Sequence, residues 1–149
     1  DMSGVNATHW HARCSIFNAQ SLRGKLDDLK FFIDSKKPDI LFVTETWLNK
    51  TVSDAMIAPT NKYYVSRKER QNKRGGGVCA LISRQFTVNL LETADDVEIL
   101  AFDILLDAFN YRCILCYTGA ALAGGVRGSG PPSLGQGHSR VLCKSDEFF

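Results

Sequence analysis

Pro38-Asp39-Ile40-Leu41-Phe42-Val43-Thr44-Glu45-Thr46-Trp47-Leu48 is the stretch that decides how the chain is read. A proline opens it, an unbroken apolar run fills it, and the carboxylate of Glu45 closes it. Ile40 to Val43 do not alternate as a half-solvated strand does, so Asp39 to Thr44 reads as a strand covered on both faces. Upstream, Leu22, Leu26, Leu29 and Ile33 recur at helical spacing, with Lys25, Asp27, Asp28, Lys30 and Lys36 on the opposite face. Lys36-Lys37 suit the carbonyl end of that helix, and Pro38 stops it. Arg13 to Phe17 is a short β-like run that ends at Asn18. Strand, helix, covered strand is a βαβ unit, and it predicts an α/β layered architecture.

Downstream the pattern changes. Thr46 to Thr60 is irregular, with a helical turn around Val52 to Ile57. Strands are then expected at Tyr63 to Ser66, Gly77 to Ser83, Phe86 to Leu91, Glu98 to Leu106 and Tyr111 to Tyr117, joined by turns at Gly75-Gly76-Gly77, Ser83-Arg84-Gln85, Ala94-Asp95-Asp96 and Phe109-Asn110. Successive strands favour hairpins in an antiparallel or mixed sheet. From Thr118 onward the composition breaks: residues 119–149 hold seven of the twelve glycines, Pro131-Pro132 and almost no apolar period. Such a segment buries too little to offset its ordering entropy. The expected organisation is a loose leader at 1–12, one α/β domain at 13–118, and a disordered tail at 119–149 foreign to that domain. Asp1 ahead of Met2 reads as the start of a piece.

At 149 residues the chain has room for one ordinary domain. Its apolar runs are far shorter than the roughly 20 residues that span a bilayer, and no basic stretch followed by an apolar core marks a secretory signal. Five cysteines make an odd count, and four of them (Cys14, Cys79, Cys113 and Cys116) lie in apolar, strand-like runs, as small hydrophobes of a reduced, intracellular chain do. Cys113-x-x-Cys116 has zinc or redox spacing without a second such pair. The N-x-[ST] matches at Asn6 and Asn49 read as chance. The net charge of +2 is unevenly spread. Lys62 to Arg74 carries six cations against Glu69, and Glu92 to Asp107 carries six acids with no Lys or Arg. The first segment could face a polyanion; the second should not.

Asn18 and Glu45 each follow a strand of the βαβ unit. The carboxyl ends of neighbouring parallel strands form the crevice where ligands bind. An amide and a carboxylate there could share a hard cation such as Mg²⁺; equally, they could be a turn former and a solvated strand-end acid. Arg67 and Arg70, beside the glycine triplet, could grip phosphate oxygens, and Lys73 and Arg74 could add sequence-independent attraction. The other reading of this loop is a solvated hairpin tip. The three glycines allow either close approach to a ligand or only a tight turn.

Four blocks in this order resemble the endonuclease of non-LTR retrotransposons, a branch of the endonuclease/exonuclease/phosphatase superfamily that also includes deoxyribonuclease I and the apurinic/apyrimidinic endonucleases. Asn18-Ala-Gln-Ser-Leu-Arg-Gly-Lys25 resembles the family's N-A-R-S-L-x-x-K block, with Gln20 in place of the usual Arg. Pro38 to Leu48 resembles its P-D-I-x-x-x-T-E-T-W-L block. Arg67-Lys-Glu-Arg70 and Gly75-Gly-Gly-Val78 resemble its R-x-D-R and G-G-G-V blocks. The resemblance covers Arg13 to Tyr117. It implies a deoxyribonuclease I-like four-layer α/β sandwich, of which this chain would be the N-terminal half. It also implies hydrolysis of DNA phosphodiesters with Mg²⁺ or Mn²⁺, DNA as partner through its phosphate backbone, and an intracellular location, the nucleus included. Glu45 would bind the metal, and Asn18 would support metal and scissile phosphate. Trp47 and Leu48 would pack beneath the site. Tyr117 falls where the family has a tyrosine beside the phosphate; the match stops there, because Tyr117-Thr-Gly119 replaces a Y-x-P-P-like turn, and a core or rim tyrosine remains the other reading.

In that family a late histidine, oriented by an aspartate, is the general base, and a D-x-N pair positions the nucleophile. No G-D-x-N block follows Tyr117 here, and Ser145-Asp146-Glu147 lacks the histidine of an S-D-H block. His138 lies in the expected tail, and His9 and His11 in the leader. The expectation is a domain cut just after Tyr117, short of most strands of its second sheet and not competent to cut DNA. The alternative is a non-catalytic nucleic-acid-binding or interaction module using the Lys62 to Arg74 loop.

Overall fold

The computed structural model describes residues 12–71, 73–107, 109–118 and 138–147, with 109, 118 and 138–147 described through the backbone alone. Asn6, His9 and His11, and the expected tail at 119–137, lie outside the described residues.

β1 (Cys14–Asn18) leads through a loop into α1 (Leu26–Lys36) and returns as β2 (Ile40–Thr44), which runs parallel to β1 from Cys14↔Ile40 to Asn18↔Thr44. This is the expected βαβ unit. Asp27 and Asp28 in the first turn of α1 and Lys36 in the last complement the helix dipole. Lys37 ends the helix in the left-handed region (φ 46°), its N–H returning to the Ile33 carbonyl at 2.9 Å. The single turn α2 (Asp54–Ile57) follows, and then β3 (Tyr63–Lys68) and β4 (Val78–Ser83). The first sheet has the order β1-β2-β4-β3, with β4 antiparallel to both of its neighbours.

The burial of β2 accounts for its continuous apolar run. Leu41 and Val43 pack with Leu29 and Ile33 of α1 and Ile57 of α2. Ile40 and Phe42 face the other way, with Val78, Ala80 and Ile82 of β4, onto a second sheet. That sheet is antiparallel throughout: β5 (Thr87–Leu91), β6 (Ile99–Leu105), β7 (Phe109–Thr118) and β8 (His138–Glu147), in that order. Leu100, Phe102 and Ile104 of β6 and Leu115 and Tyr117 of β7 close the inter-sheet core. Phe42 stacks on Phe102 there, with ring centroids 6.0 Å apart. The protein is a mixed α/β structure of two packed sheets, and both of its described helices lie on the far face of the first.

The tail departs from expectation. Residues 138–147 form β8, which pairs with β7 over ten residues, from Thr118↔His138 to Phe109↔Glu147. The second sheet therefore has one strand beyond the three expected at Phe86 to Leu91, Glu98 to Leu106 and Tyr111 to Tyr117. The glycines and prolines of 119–137 had set the reading for the whole segment, yet Val141-Leu142-Cys143 is a short apolar run beyond them. An exposed strand edge offers unpaired N–H and C=O groups to any extended chain, whatever its side-chain period. The Cys113-x-x-Cys116 pair is divided by the pleat, since residues an odd number apart on a strand point to opposite faces: Cys113 is buried in the inter-sheet core, and Cys116 is half-buried.

Candidate active site

The loops that leave β1 and β2 and the loop that enters β4 stay hydrogen-bonded beyond the strands. Ala19, Ser21 and Leu22 donate to the carbonyls of Thr44, Glu45 and Thr46 at 2.8–2.9 Å. Thr46 and Trp47 donate to Gly77 and Gly76 at 3.2 and 2.9 Å. Holding three chains in this weave takes left-handed backbone at Gln20, Ser21, Glu45 and Trp47 (φ 45, 83, 54 and 52°) and at all three residues of the glycine triplet. A residue with a Cβ is disfavoured in that region by on the order of 1 kcal/mol. Such positions persist where the surroundings over-determine them, and they gather at binding and catalytic sites.

Glu45 sits at the centre of the weave, half-buried. Trp47 donates its indole Nε1–H to Glu45 Oε2 at 2.5 Å, and the Gly76 N–H donates to the same oxygen at 3.2 Å. The Tyr117 hydroxyl donates to the carboxylate as well. Burial pushes the Glu45 carboxyl up, but the bonds from Tyr117, Trp47 and Gly76 and the charge of Arg70 outweigh it and hold the group below the ordinary carboxylate range. Glu45 is therefore an anion at neutral pH. Tyr117 responds in the opposite sense: burial, and then the bond to Glu45, pushes its phenol up to about 12. It remains a protonated donor through the working pH range.

Arg70 stands beside this pair. Its Nε and Nη2 both donate to Glu98 Oε2, at 3.2 and 2.6 Å. The other oxygen of Glu98 accepts the Gly77 N–H. The bond to Glu98 raises the Arg70 pKa, so the guanidinium is permanently charged. A Cβ on Gly76 would collide with the Arg70 guanidinium and Glu98 Oε1, and one on Gly77 would lie 2.5 Å from the buried Thr46 hydroxyl. The glycines make room for the protein's own side chains, the nearer of the two readings being a tight turn.

The other expected DNA-binding cations diverge. Arg67 is turned inward: Nη1 donates to the Val52 carbonyl (2.6 Å) and Asp54 (3.3 Å), and Nη2 to the Asn49 carbonyl (2.9 Å) and Glu69. It straps β3 to the loop before α2, because four acceptors surround a guanidinium whose side chain is only 14% exposed. Arg67 is thus corrected from a phosphate grip to an internal tie. Lys68 is tied to Thr93 and the Ala94 carbonyl. Lys73 and Arg74 are exposed as expected, with the Arg74 guanidinium 5.9 Å from the Trp47 ring centroid.

Asn18 is exposed at the end of β1, opposite Thr44 and one residue from Glu45 in register. Its Oδ1 accepts the Gln20 N–H at 3.1 Å. It stands at the rim of an apolar groove of about 430 Å³ floored by Phe17, Leu22, Leu29 and Phe32. Among the described residues no group of three His, Cys, Asp or Glu converges to hold a metal. The donor set that remains is an amide oxygen and a carboxylate. Both are hard oxygens, and that fits Mg²⁺, which keeps several waters and takes one or two protein oxygens.

Two residues emerge with more than their expected part. Trp47 was expected to pack beneath the site, as Leu48 does, yet it hydrogen-bonds Glu45 directly. Glu98 lies in the acidic segment that should avoid a polyanion, yet it pairs with Arg70 at the site. The backbone of β8 begins at His138, across from Thr118 and next to Tyr117. No helix among the described residues is long and apolar enough to cross a membrane. No family model matches the chain, and no curated protein matches it.

Proposed function

We propose that this chain is the metal- and phosphate-holding part of a DNA endonuclease domain of the endonuclease/exonuclease/phosphatase type, from the non-LTR retrotransposon branch. One observation carries the reading: Glu45, Arg70, the glycine triplet and Tyr117, far apart in sequence, meet at one set of strand ends, with Asn18 at the end of the adjacent parallel strand. Two packed sheets with helices outside the first support three layers of a deoxyribonuclease I-like sandwich. The fourth, a helical layer outside the second sheet, is not among the described residues.

Glu45 and Asn18 would hold Mg²⁺ or Mn²⁺. When bound, the ion supplies Lewis-acid polarisation of a phosphate oxygen. The chain's own residues do the rest. Glu45 is already an anion, so it takes up a cation without releasing a proton. Tyr117 keeps its proton and orients the carboxylate. Arg70, Lys73 and Arg74 attract and register the DNA backbone. Among the described residues no general base and no D-x-N pair is brought to the site, and general-base catalysis alone contributes about 10²–10⁴-fold. The chain by itself therefore binds metal and DNA and does not cut.

Trp47 reports on this directly. With Trp10 replaced by Phe, Trp47 is the sole tryptophan, donating to Glu45. Titration with Mn²⁺, a paramagnetic quencher, should quench its fluorescence saturably, and Glu45→Gln should abolish the saturable phase. Quenching indifferent to that substitution would remove the metal site. Supercoiled plasmid with Mg²⁺ should stay intact, and nicking that disappears in Glu45→Gln would overturn the claim of incompetence.

A further inference from the structure

Arg70 and Arg67 are three residues apart, yet both terminal nitrogens of Arg67 are taken by the protein's own acceptors and one of Arg70's is not. Glu98 takes Nε and Nη2 on a single oxygen. Among the described residues Nη1 has no hydrogen-bond partner, and the side chain is 26% exposed. Glu98 is itself well fixed: its second oxygen holds the Gly77 N–H, and its backbone carbonyl accepts the Tyr117 N–H at 3.3 Å, across the start of the β6–β7 ladder. The space both side chains occupy exists because residue 76 has no Cβ. A flexible guanidinium is thus held rigid between the glycine loop and Tyr117, one face tied and one terminal nitrogen open.

We propose that Glu98 is a positioning residue for DNA: it fixes the Arg70 guanidinium so that Nη1 is presented, pre-oriented, to a backbone phosphate oxygen beside Glu45. This rests on reading the surface as a DNA-phosphate site. An arginine that must be ordered on binding loses side-chain entropy at that moment, and one already held does not. An acid in a polyanion site is otherwise a liability.

Coulomb attraction and positioning predict opposite signs. By charge alone, Glu98→Ala removes a negative group from a DNA-binding face and should tighten binding. By positioning, it frees Arg70 and weakens binding. The experiment is fluorescence anisotropy of a labelled DNA duplex with the full chain between about 50 and 200 mM salt, with chelator present so that no metal enters. Arg70→Ala should weaken binding about tenfold at low salt and reduce the slope of log K against log salt by about 0.9, the share of one phosphate contact. Glu98→Ala should move both in the same direction, and Glu98→Gln, which keeps one acceptor oxygen that can serve Arg70 at the expense of the Gly77 N–H, should recover part of the loss. On the Arg70→Ala background, Glu98→Ala should weaken nothing further. That last arm separates positioning from a merely structural role, which would weaken binding equally with or without Arg70. Where Glu98→Ala lowers the urea midpoint, the Glu98→Gln comparison on both backgrounds carries the same test. Tighter binding by Glu98→Ala, or an equal loss on both backgrounds, overturns the proposal and leaves DNA binding standing. Absence of salt-dependent binding by the unsubstituted chain removes the DNA reading and the proposal together.

Discussion

Among the described residues, each sheet of this protein holds one carboxylate below its ordinary range, and the two are held in different ways. Glu45, at the end of the first sheet, gathers donors from three separate segments: Trp47 from its own loop, Gly76 from the loop entering β4, and Tyr117 from the second sheet, with Arg70 nearby. Asp103, in the middle of the second sheet, is answered by Arg112, its register partner on the adjacent strand, through bonds of 2.8 and 2.9 Å. The first arrangement depends on strained loops and on contacts between sheets. The second is local to one hairpin. Convergence of distant segments on a strained carboxylate is what a site needs, and a local cross-strand pair is what a sheet needs.

The comparison presumes that the two sheets fold as one, since Tyr117 reaches Glu45 only while they are packed together. Phe102 tests this hardest. It is fully buried against Phe42 at the centre of the inter-sheet core. Phe102→Ala should cost about 3–5 kcal/mol, the usual range for a buried phenylalanine, read from urea unfolding followed by circular dichroism and by Trp47 fluorescence. The two probes should move together. Separate transitions, or a loss under about 1 kcal/mol, would mean that the sheets are independent and that Tyr117 does not hold Glu45.

Much of this was legible in the chain. The unbroken run Ile40 to Val43 called for a strand covered on both faces, and it is the centre of the two-sheet stack. The leucine stripe gave α1, with Leu22 just ahead of the helix proper. Glu98 was less legible: a turn at Phe109-Asn110 would set it beyond Tyr117, whereas Asn110 pairs with Leu105 and the β6–β7 register brings Glu98 level with Tyr117. Its charge obscured this, because an acid in an acidic run looks like surface. What stayed hidden depends on loops. Nothing in the spacing of Arg67 and Arg70 says that one turns in toward four acceptors and the other toward one, since that follows from how the chain at 49–54 passes β3. Nor does a side-chain period announce β8, whose pairing with β7 is made by backbone groups.

Those two arginines sharpen the contrast between a site and a strap. Arg67→Ala strands the carbonyls of Asn49 and Val52 and leaves Glu69 and Asp54 without their cation. Charge-assisted bonds of this kind contribute about 1.5–3 kcal/mol when lost, so the urea midpoint should fall accordingly. The salt slope of DNA binding by the folded protein should stay where it was. A slope reduced by about one unit, with stability untouched, would return Arg67 to the phosphate-binding surface.

The smallest effect belongs to Asp103, and its sign follows from linkage. Hydrogen bonding to Arg112 lowers the Asp103 pKa in the folded state, outweighing the upward push from burial. A carboxyl depressed on folding contributes stability that is full above its unfolded value, about 3.9, and lost as pH falls through the lower folded value. The Arg112 side chain is 47% exposed, so solvent and salt screen the pair, and about 0.5–1 kcal/mol is the scale to expect. Asp103→Asn should therefore be less stable than the parent at pH 7, and the gap between their urea midpoints should close as pH falls below about 4. Glu45 also loses its charge in acid, but it does so in both proteins, and the difference between them isolates Asp103. A gap that stays constant with pH would assign the loss to packing. The Trp47 response to Mn²⁺ at pH 7 should be the same in both, because Asp103 lies outside the convergence that defines the site.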